Sequence, residues 1–197
     1  MSKELSAQLA PTVASPHSSA WLRPAAIALC ASAFIAACAH VALPLNFTPV
    51  PLTLGPFAVL LIGLLLSPRM AAVTLGAYLA EGALGLPVFA PGPFMAPGLA
   101  HLFGPTAGYL LAYPFAAILI STIWRRAGRG FPAALAAAAA GNLLILACGS
   151  LWLAAFAHLS ALSALSLGLL PFLPGDALKI AAAAALACRF QRLRRSA

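Results

Sequence analysis

Asp176 and Lys179 stand three residues apart in Pro174-Gly175-Asp176-Ala177-Leu178-Lys179, an acid and a base in a stretch otherwise made of Ala, Leu and Ile. Helical spacing puts the two on one face. An ionisable side chain at mid-bilayer costs about 2.5–3.5 kcal/mol on insertion scales and less near an interface, so a pair kept in such a run points to a polar ligand site. A structural alternative stands beside it. Pro174 and Gly175 interrupt the preceding run and set Asp176 where an N-cap belongs, and a carboxylate there complements the helix dipole without any ligand. Lys179 fits that alternative poorly, because a cation in the first turn opposes the dipole.

Few other side chains carry chemistry. Glu81 shares with Asp176 the distinction of being an acid inside the apolar part of the chain, the third acid being Glu4. A lone membrane carboxylate either meets a structural hydrogen-bond partner or lines a polar cavity. Tyr78, Tyr109 and Tyr113 fit interfacial anchoring first and ligand donation second. Asn142 fits a helix-to-helix hydrogen bond, with cavity lining second. His101 is a candidate contact for an anion. The segment Gly104-Pro105-Thr106-Ala107-Gly108-Tyr109 lacks the lysine and preceding strand of a phosphate loop, so ATP binding by this chain is not expected. Neither an HExxH nor a GxSxG pattern occurs, and no catalytic residue is assigned. Cys30, Cys38, Cys148 and Cys188 lie in apolar runs without ligand spacing and read as small hydrophobes, so no metal or other cofactor is expected.

The elements that position these residues follow from composition. The chain is 63% hydrophobic and 7% charged over 197 residues, which leaves no polar face to cover a water-soluble core and marks an integral, all-α membrane protein. The net charge of +8 comes from clumps of basic residues between apolar runs, the pattern of the positive-inside rule rather than of nucleic-acid binding. Residues 1–20, rich in Ser, Ala and Pro, read as a flexible cytoplasmic tail. The apolar run after Arg23, which ends in Ala37-Cys38-Ala39, reads as a first span rather than a signal peptide, since the chain stays membranous beyond it. Residues 21–195 then form one transmembrane substrate-binding domain.

Six spans are expected, at about 24–43, 52–67, 70–84, 105–124, 132–156 and 174–190. Span one is studded with small residues at four-residue spacing, Ala28 with Ser32 and Ala33 with Ala37, which admits close helix approach. Three prolines within residues 44–51 force a loop. Spans two and three are separated at Pro68-Arg69, because one kinked helix would strand Arg69 near the midplane. The segment 85–104, rich in Pro and Gly and containing Phe89, Phe94, Met95 and His101, cannot be helical throughout; open backbone at membrane depth is tolerated only around a cavity, so a lid is expected. The uncharged stretch 158–173 reads as interfacial or as a helix extension. Six crossings place Lys3, Arg23, Arg69, the 125–129 cluster and the C-terminal arginines on one side, with both termini in the cytoplasm. They place the 44–51 loop, the lid and the start of the last helix together outside.

Val50-Pro51-Leu52-Thr53, Gly85-Leu86-Pro87-Val88-Phe89-Ala90, Gly104-Pro105-Thr106-Ala107-Gly108-Tyr109-Leu110 and Pro174-Gly175-Asp176 with Lys179 resemble, in order and spacing, the BioY family of biotin-binding S components of energy-coupling factor transporters. The resemblance runs over about residues 24–190. It implies a multi-pass protein of the bacterial inner membrane that captures biotin and works with a membrane coupling subunit and ABC-type ATPases. It implies that Asp176 and Lys179 contact the vitamin, that residues 85–104 gate the site, and that the small face of span one, with Ala28 and Ser32, docks the coupling subunit. Gly55 and Ala107 depart from the family pattern, and the lid has no arginine for a ligand carboxylate, which leaves His101 or Lys179 that role. In this reading Asp176 accepts from ureido N–H groups, Lys179 donates to an oxygen of the ligand, and Phe89 and Tyr109 cover its apolar body. Competing readings are a carrier for another small carboxylated nutrient, an intramembrane enzyme using Glu81, His101 and Asp176, and a purely structural bundle subunit.

Overall fold

A computed structural model describes residues 21–92 and 96–196. The tail expected over 1–20, and Phe94 and Met95 of the expected lid, lie outside the described residues. Seven α-helices make up most of the rest: α1 (Leu22–His40), α2 (Gly55–Leu65), α3 (Pro68–Ala83), α4 (Ala107–Arg126), α5 (Phe131–Phe156), α6 (Ala161–Gly168) and α7 (Leu173–Ser196). A two-stranded antiparallel ribbon, β1 (Ala42–Leu43) with β2 (Leu52–Thr53), pairs Ala42 with Thr53 and Leu43 with Leu52 and closes the proline loop between them.

Local chemistry sets the breaks. The Ser67 hydroxyl accepts from the Met70 N–H at 3.4 Å, and Pro68 occupies the first turn of α3, where its missing donor is no loss. This confirms two short helices divided at Pro68-Arg69. Gly128 and Arg129 turn the chain between α4 and α5 at φ of 81° and 59°, and Ser160 caps α6 by accepting from Ser163 at 3.2 Å. The first helix begins and ends earlier than the span expected at 24–43, because β1 takes Ala42 and Leu43. The uncharged stretch 158–173 forms α6 and a 3-10 turn at Leu170–Phe172.

One expectation is corrected at the start of α7. Pro174 and Gly175 do not break the run but lie inside the first turn of the helix, which begins at Leu173. Proline is tolerated there for the same reason as Pro68. Asp176 is therefore a helical residue rather than an N-cap, and its carboxylate is bonded to side chains.

Four helical stretches are long and apolar enough to cross a membrane: Leu22–His40, Ala107–Arg126, Phe131–Phe156 and Ala161–Arg194. With 11 residues in α2 and 16 in α3, these two reach only about 16 and 24 Å, short of a core of about 30 Å. Central to the bundle is α4, packed on α2, α3 and α5, while α1 covers α2 and α3 and α7 covers α2 and α5. Close approach of α4 and α5 depends on glycine. A Cβ at Gly108 would meet the Trp152 Cβ at 2.3 Å and the Cys148 carbonyl at 2.6 Å, and one at Gly149 would meet the Tyr109 ring at 2.1 Å. These are small-residue helix contacts of the kind membrane bundles use in place of a hydrophobic driving force. The Gly108→Ala variant is expected to lose about 1–3 kcal/mol of stability, because backbone cannot yield as a flexible side chain can; a lowered thermal unfolding midpoint in detergent checks it.

Candidate ligand-binding site

The C-terminal parts of α1 and α3, the N-terminal parts of α2, α4 and α7 and the middle of α5 meet at one end of the bundle. There they line a cavity with about 630 Å³ of space between atoms, the open solvent at its mouth included. Val50 and Pro51 from the proline loop, Ile145 and Leu146 from α5, and Phe172 from the turn before α7 supply apolar wall. Tyr78, Tyr109 and Tyr113 supply rings, and His101 and Thr106 come from the segment leading into α4.

Polar groups converge on one wall. The Lys179 Nζ donates to Asp176 Oδ1 at 2.9 Å, and the Asn142 Nδ2 donates to Asp176 Oδ2 at 2.9 Å. All three line the cavity, yet they are only 7%, 2% and 3% exposed for Lys179, Asp176 and Asn142. A carboxylate can only accept, so Asn142 must turn its amide nitrogen toward Asp176 and its Oδ1 away. That Oδ1 is buried and has no partner. Lys179 carries three N–H donors and spends one on Asp176. The wall thus offers one unsatisfied acceptor beside an ammonium with donors to spare. Its chemical complement is a small ligand with an N–H donor next to an oxygen acceptor, attached to an apolar body. Desolvation of unpaired groups is costly, which is why such a wall favours an occupant that completes its bonds.

The segment after α3 is fastened by aromatic contacts. Phe89 packs edge-on against Tyr78 with ring centroids 5.4 Å apart and against His101 at 4.7 Å. Gly82 makes room for that ring, since a Cβ there would come within 2.1 Å of it. The Tyr78 hydroxyl donates to the Val88 carbonyl at 3.1 Å, and the Trp152 Nε1 donates to the Gly104 carbonyl at 2.9 Å. His101 is buried in a 3-10 helix, Gly98–Phe103, with Nδ1 3.1 Å from the Ala96 carbonyl. Burial holds its imidazole below the ordinary value, against an opposing contribution from the Ala96 bond.

Asp176, Lys179, Asn142, Tyr109 and His101 come together around the cavity. Phe89 and Glu81 do not. Phe89 packs behind the wall as a fastener of the loop, and Glu81 accepts a hydrogen bond from Ser32, tying α3 to α1. Ala28 and Ser32 are buried on that inner face, whereas Ala33 and Ala37 are exposed. The interfacial-anchor reading of Tyr78, Tyr109 and Tyr113 is corrected, because all three are buried. Tyr109 donates to the Gly168 carbonyl at 2.6 Å. Thr106 and Phe172 were missed by sequence reasoning; a threonine before a helix and a phenylalanine among leucines carry no signal of their own. Among the described residues no cluster of His, Cys, Asp or Glu is able to hold a metal.

The chain is 41% identical over 143 residues to the probable biotin transporter BioY of Pyrococcus horikoshii, covering 73% of this chain and 82% of that one. It is 34% identical over 162 residues to the biotin transporter BioY of Thermotoga maritima, covering 82% and 92%. Among solved structures, the S-component for biotin from an ECF-type ABC transporter superposes with a TM-score of 0.79 at 26% identity, over 87% of this chain and 92% of the other. The family model for the BioY family matches residues 7–196, and the chain belongs to that family.

Proposed function

We propose that this protein captures biotin and takes it up across the membrane as the substrate-binding subunit of an energy-coupling factor transporter. The observation that carries the reading is the unpartnered Asn142 Oδ1 beside Lys179 on one cavity wall. The ureido ring of biotin has N–H groups flanking a carbonyl oxygen, with an apolar bicycle and chain behind. Asn142 Oδ1 and the remaining lone pairs of Asp176 accept from the ureido N–H groups, Lys179 donates to the ureido oxygen, and Tyr109, Tyr113 and Phe172 enclose the apolar body. The chain is a transport protein and not an enzyme, as its family is.

In this reading six helices cross the inner membrane, α2 and α3 as short spans, with both termini cytoplasmic and the cavity facing out. Support comes from the charge distribution: Arg23, Arg69, Arg125, Arg126, Arg129, Arg189, Arg192 and Arg194 all fall at the helix ends opposite the cavity. Residues 85–104 act as the lid. The coupling subunit, itself joined to ABC-type ATPases, meets the outer face of α1, where Ala33 and Ala37 are exposed.

Titration of the purified protein with biotin, read by the fluorescence of Trp152 at the lid's end, tests the reading; no saturable change would overturn it. Asn142→Leu and Lys179→Ala are each expected to weaken binding by about tenfold or more, since a buried bond to a charged group contributes about 1.5–3 kcal/mol. Removing Asp176 alone strands a buried ammonium and should lower the melting temperature. The double variant Asp176→Leu/Lys179→Met is expected to restore melting while leaving biotin unbound, which separates the pair's role in folding from its role in recognition.

His101 gives the lid a pH dependence. Its imidazole is held below its ordinary 6.5 by burial, so the docked loop favours the neutral ring. That stability is complete above pH 6.5 and is lost as pH falls through the lower folded value. Biotin dissociation is expected to quicken between about pH 7.5 and about pH 5.5, and His101→Gln to remove most of that change; stopped-flow release rates at the two pH values check it.

A further inference from the structure

The bundle end opposite the cavity carries a recess that biotin capture does not use. Here α2 stops at Leu65, while α4 runs on to Arg126 and α7 to Ser196. The level is set by the Ser121 hydroxyl, which donates to the Leu66 carbonyl at 2.7 Å, one turn before the end of α4. Above the stub of α2 the walls of α4 and α7 enclose about 590 Å³ of unfilled space, its open side included. Leu65, Trp124 and Phe190 give it an apolar floor and flank, and Arg125, Arg129 and Arg194 converge on its rim. Arg125 is aimed by a hydrogen bond from its Nε to the Ser121 Oγ at 3.0 Å. Arg194 lies 5.0 Å from the Phe190 ring centroid.

Three guanidiniums share this rim without an anion. Among the described residues the acids are Glu81, bonded to Ser32, and Asp176, bonded to Asn142 and Lys179 at the opposite end; the sole salt bridge among them is that between Asp176 and Lys179. No acid among the described residues supplies the counter-charge at the recess. The planar forks of arginine suit the paired oxygens of a phosphate, and an apolar flank beside a basic rim at a bundle end suits a lipid whose chain lies along the helices.

We propose that this recess binds the phosphate of an anionic phospholipid, with Arg125, Arg129 and Arg194 on the headgroup and Phe190 against the acyl chain. The occupied recess fills the space above the short α2 and joins the ends of α4 and α7 through one anion. An even coating of lipid attracted by the general positive charge of this end would behave differently, because Arg69, Arg126 and Arg189 lie at the same end but outside the recess.

The test extracts the full chain from bilayers of phosphatidylglycerol and phosphatidylcholine in equal amounts and reads the retained lipid by native mass spectrometry. Phosphatidylglycerol is expected to be enriched on the unaltered chain. A direct charge-assisted bond from arginine to phosphate contributes about a factor of five or more, so Arg125→Gln/Arg129→Gln/Arg194→Gln should lose the enrichment roughly a hundredfold. Arg69→Gln/Arg126→Gln/Arg189→Gln, with the same change in charge, should keep most of it. Equal loss in both triple variants, or no enrichment on the unaltered chain, would overturn the proposal. So would displacement of the lipid by millimolar inorganic phosphate, which would assign the recess to a free anion. Loss of co-purification with the coupling subunit in the recess variant, without any lipid enrichment to lose, would assign the arginines to a protein carboxylate instead. Should the recess variant fail to elute as a monodisperse helical protein, Arg194→Gln alone, whose side chain is exposed, carries the comparison with an expected loss of about fivefold.

Discussion

A carboxylate and an ammonium buried at one end of an apolar bundle must satisfy each other and find further partners, and much of the architecture around the cavity follows from that requirement. Asp176 alone, or Lys179 alone, would be an uncompensated charge in a medium of low dielectric. Together they still leave lone pairs and N–H groups to place. Asn142, brought from α5, fills one of the carboxylate's positions and in doing so leaves its own oxygen buried without a partner. A fully satisfied network here would be inert. The partly satisfied one is a template for whatever completes it, and in this family the completing molecule is proposed to be biotin.

The same network explains why the irregular segments gather at this end. Backbone that is neither helix nor sheet is tolerated near a membrane only where protein or a cavity surrounds it. Val50 and Pro51 of the proline loop, which the β1–β2 ribbon closes, and Ala90 and His101 of the segment after α3 find that shelter around the cavity. Phe89 links the segment after α3 to the bundle: its ring fills the space over Gly82 and packs edge-on against Tyr78 and tilted against His101. The opposite end has the reverse character. It holds arginines in place of buried charge pairs, helix termini in place of long loops, and a recess left by the short α2. The two ends are thus chemically distinct, one with a buried Asp176, Lys179 and Asn142 cluster beside a cavity and one with arginines around a recess.

How much of this was legible in the sequence depends on the length scale of each signal. Arg69, Arg125, Arg126 and Arg129, and the arginines of the C-terminal segment, interrupt apolar runs and mark where helices end or begin, and prolines at 44, 49 and 51 announced a loop. Asp176 and Lys179 stood out because acid and base are rare in such a run. Helix propensity misjudged one point: a Pro-Gly pair reads as a break, yet the first turn of a helix tolerates both, so α7 starts at Leu173 and Asp176 is carried inside it.

Other assignments could not be made from residue type. Glu81 and Asp176 are both acids in apolar surroundings, and only the packing of α1 against α3 assigns the first to Ser32 while the meeting of α5 with α7 assigns the second to the cavity. Whether Tyr78, Tyr109 and Tyr113 face lipid or interior depends on helix rotation, which a nearly uniform apolar sequence does not encode because every face is equally greasy. The sequence by itself determined that the chain is helical, membrane-bound and charged at chosen places, since those follow from composition and period. Only the tertiary structure decided which polar atoms meet and which, Asn142 Oδ1 among them, are left without a partner, because that is a matter of where separate helices touch.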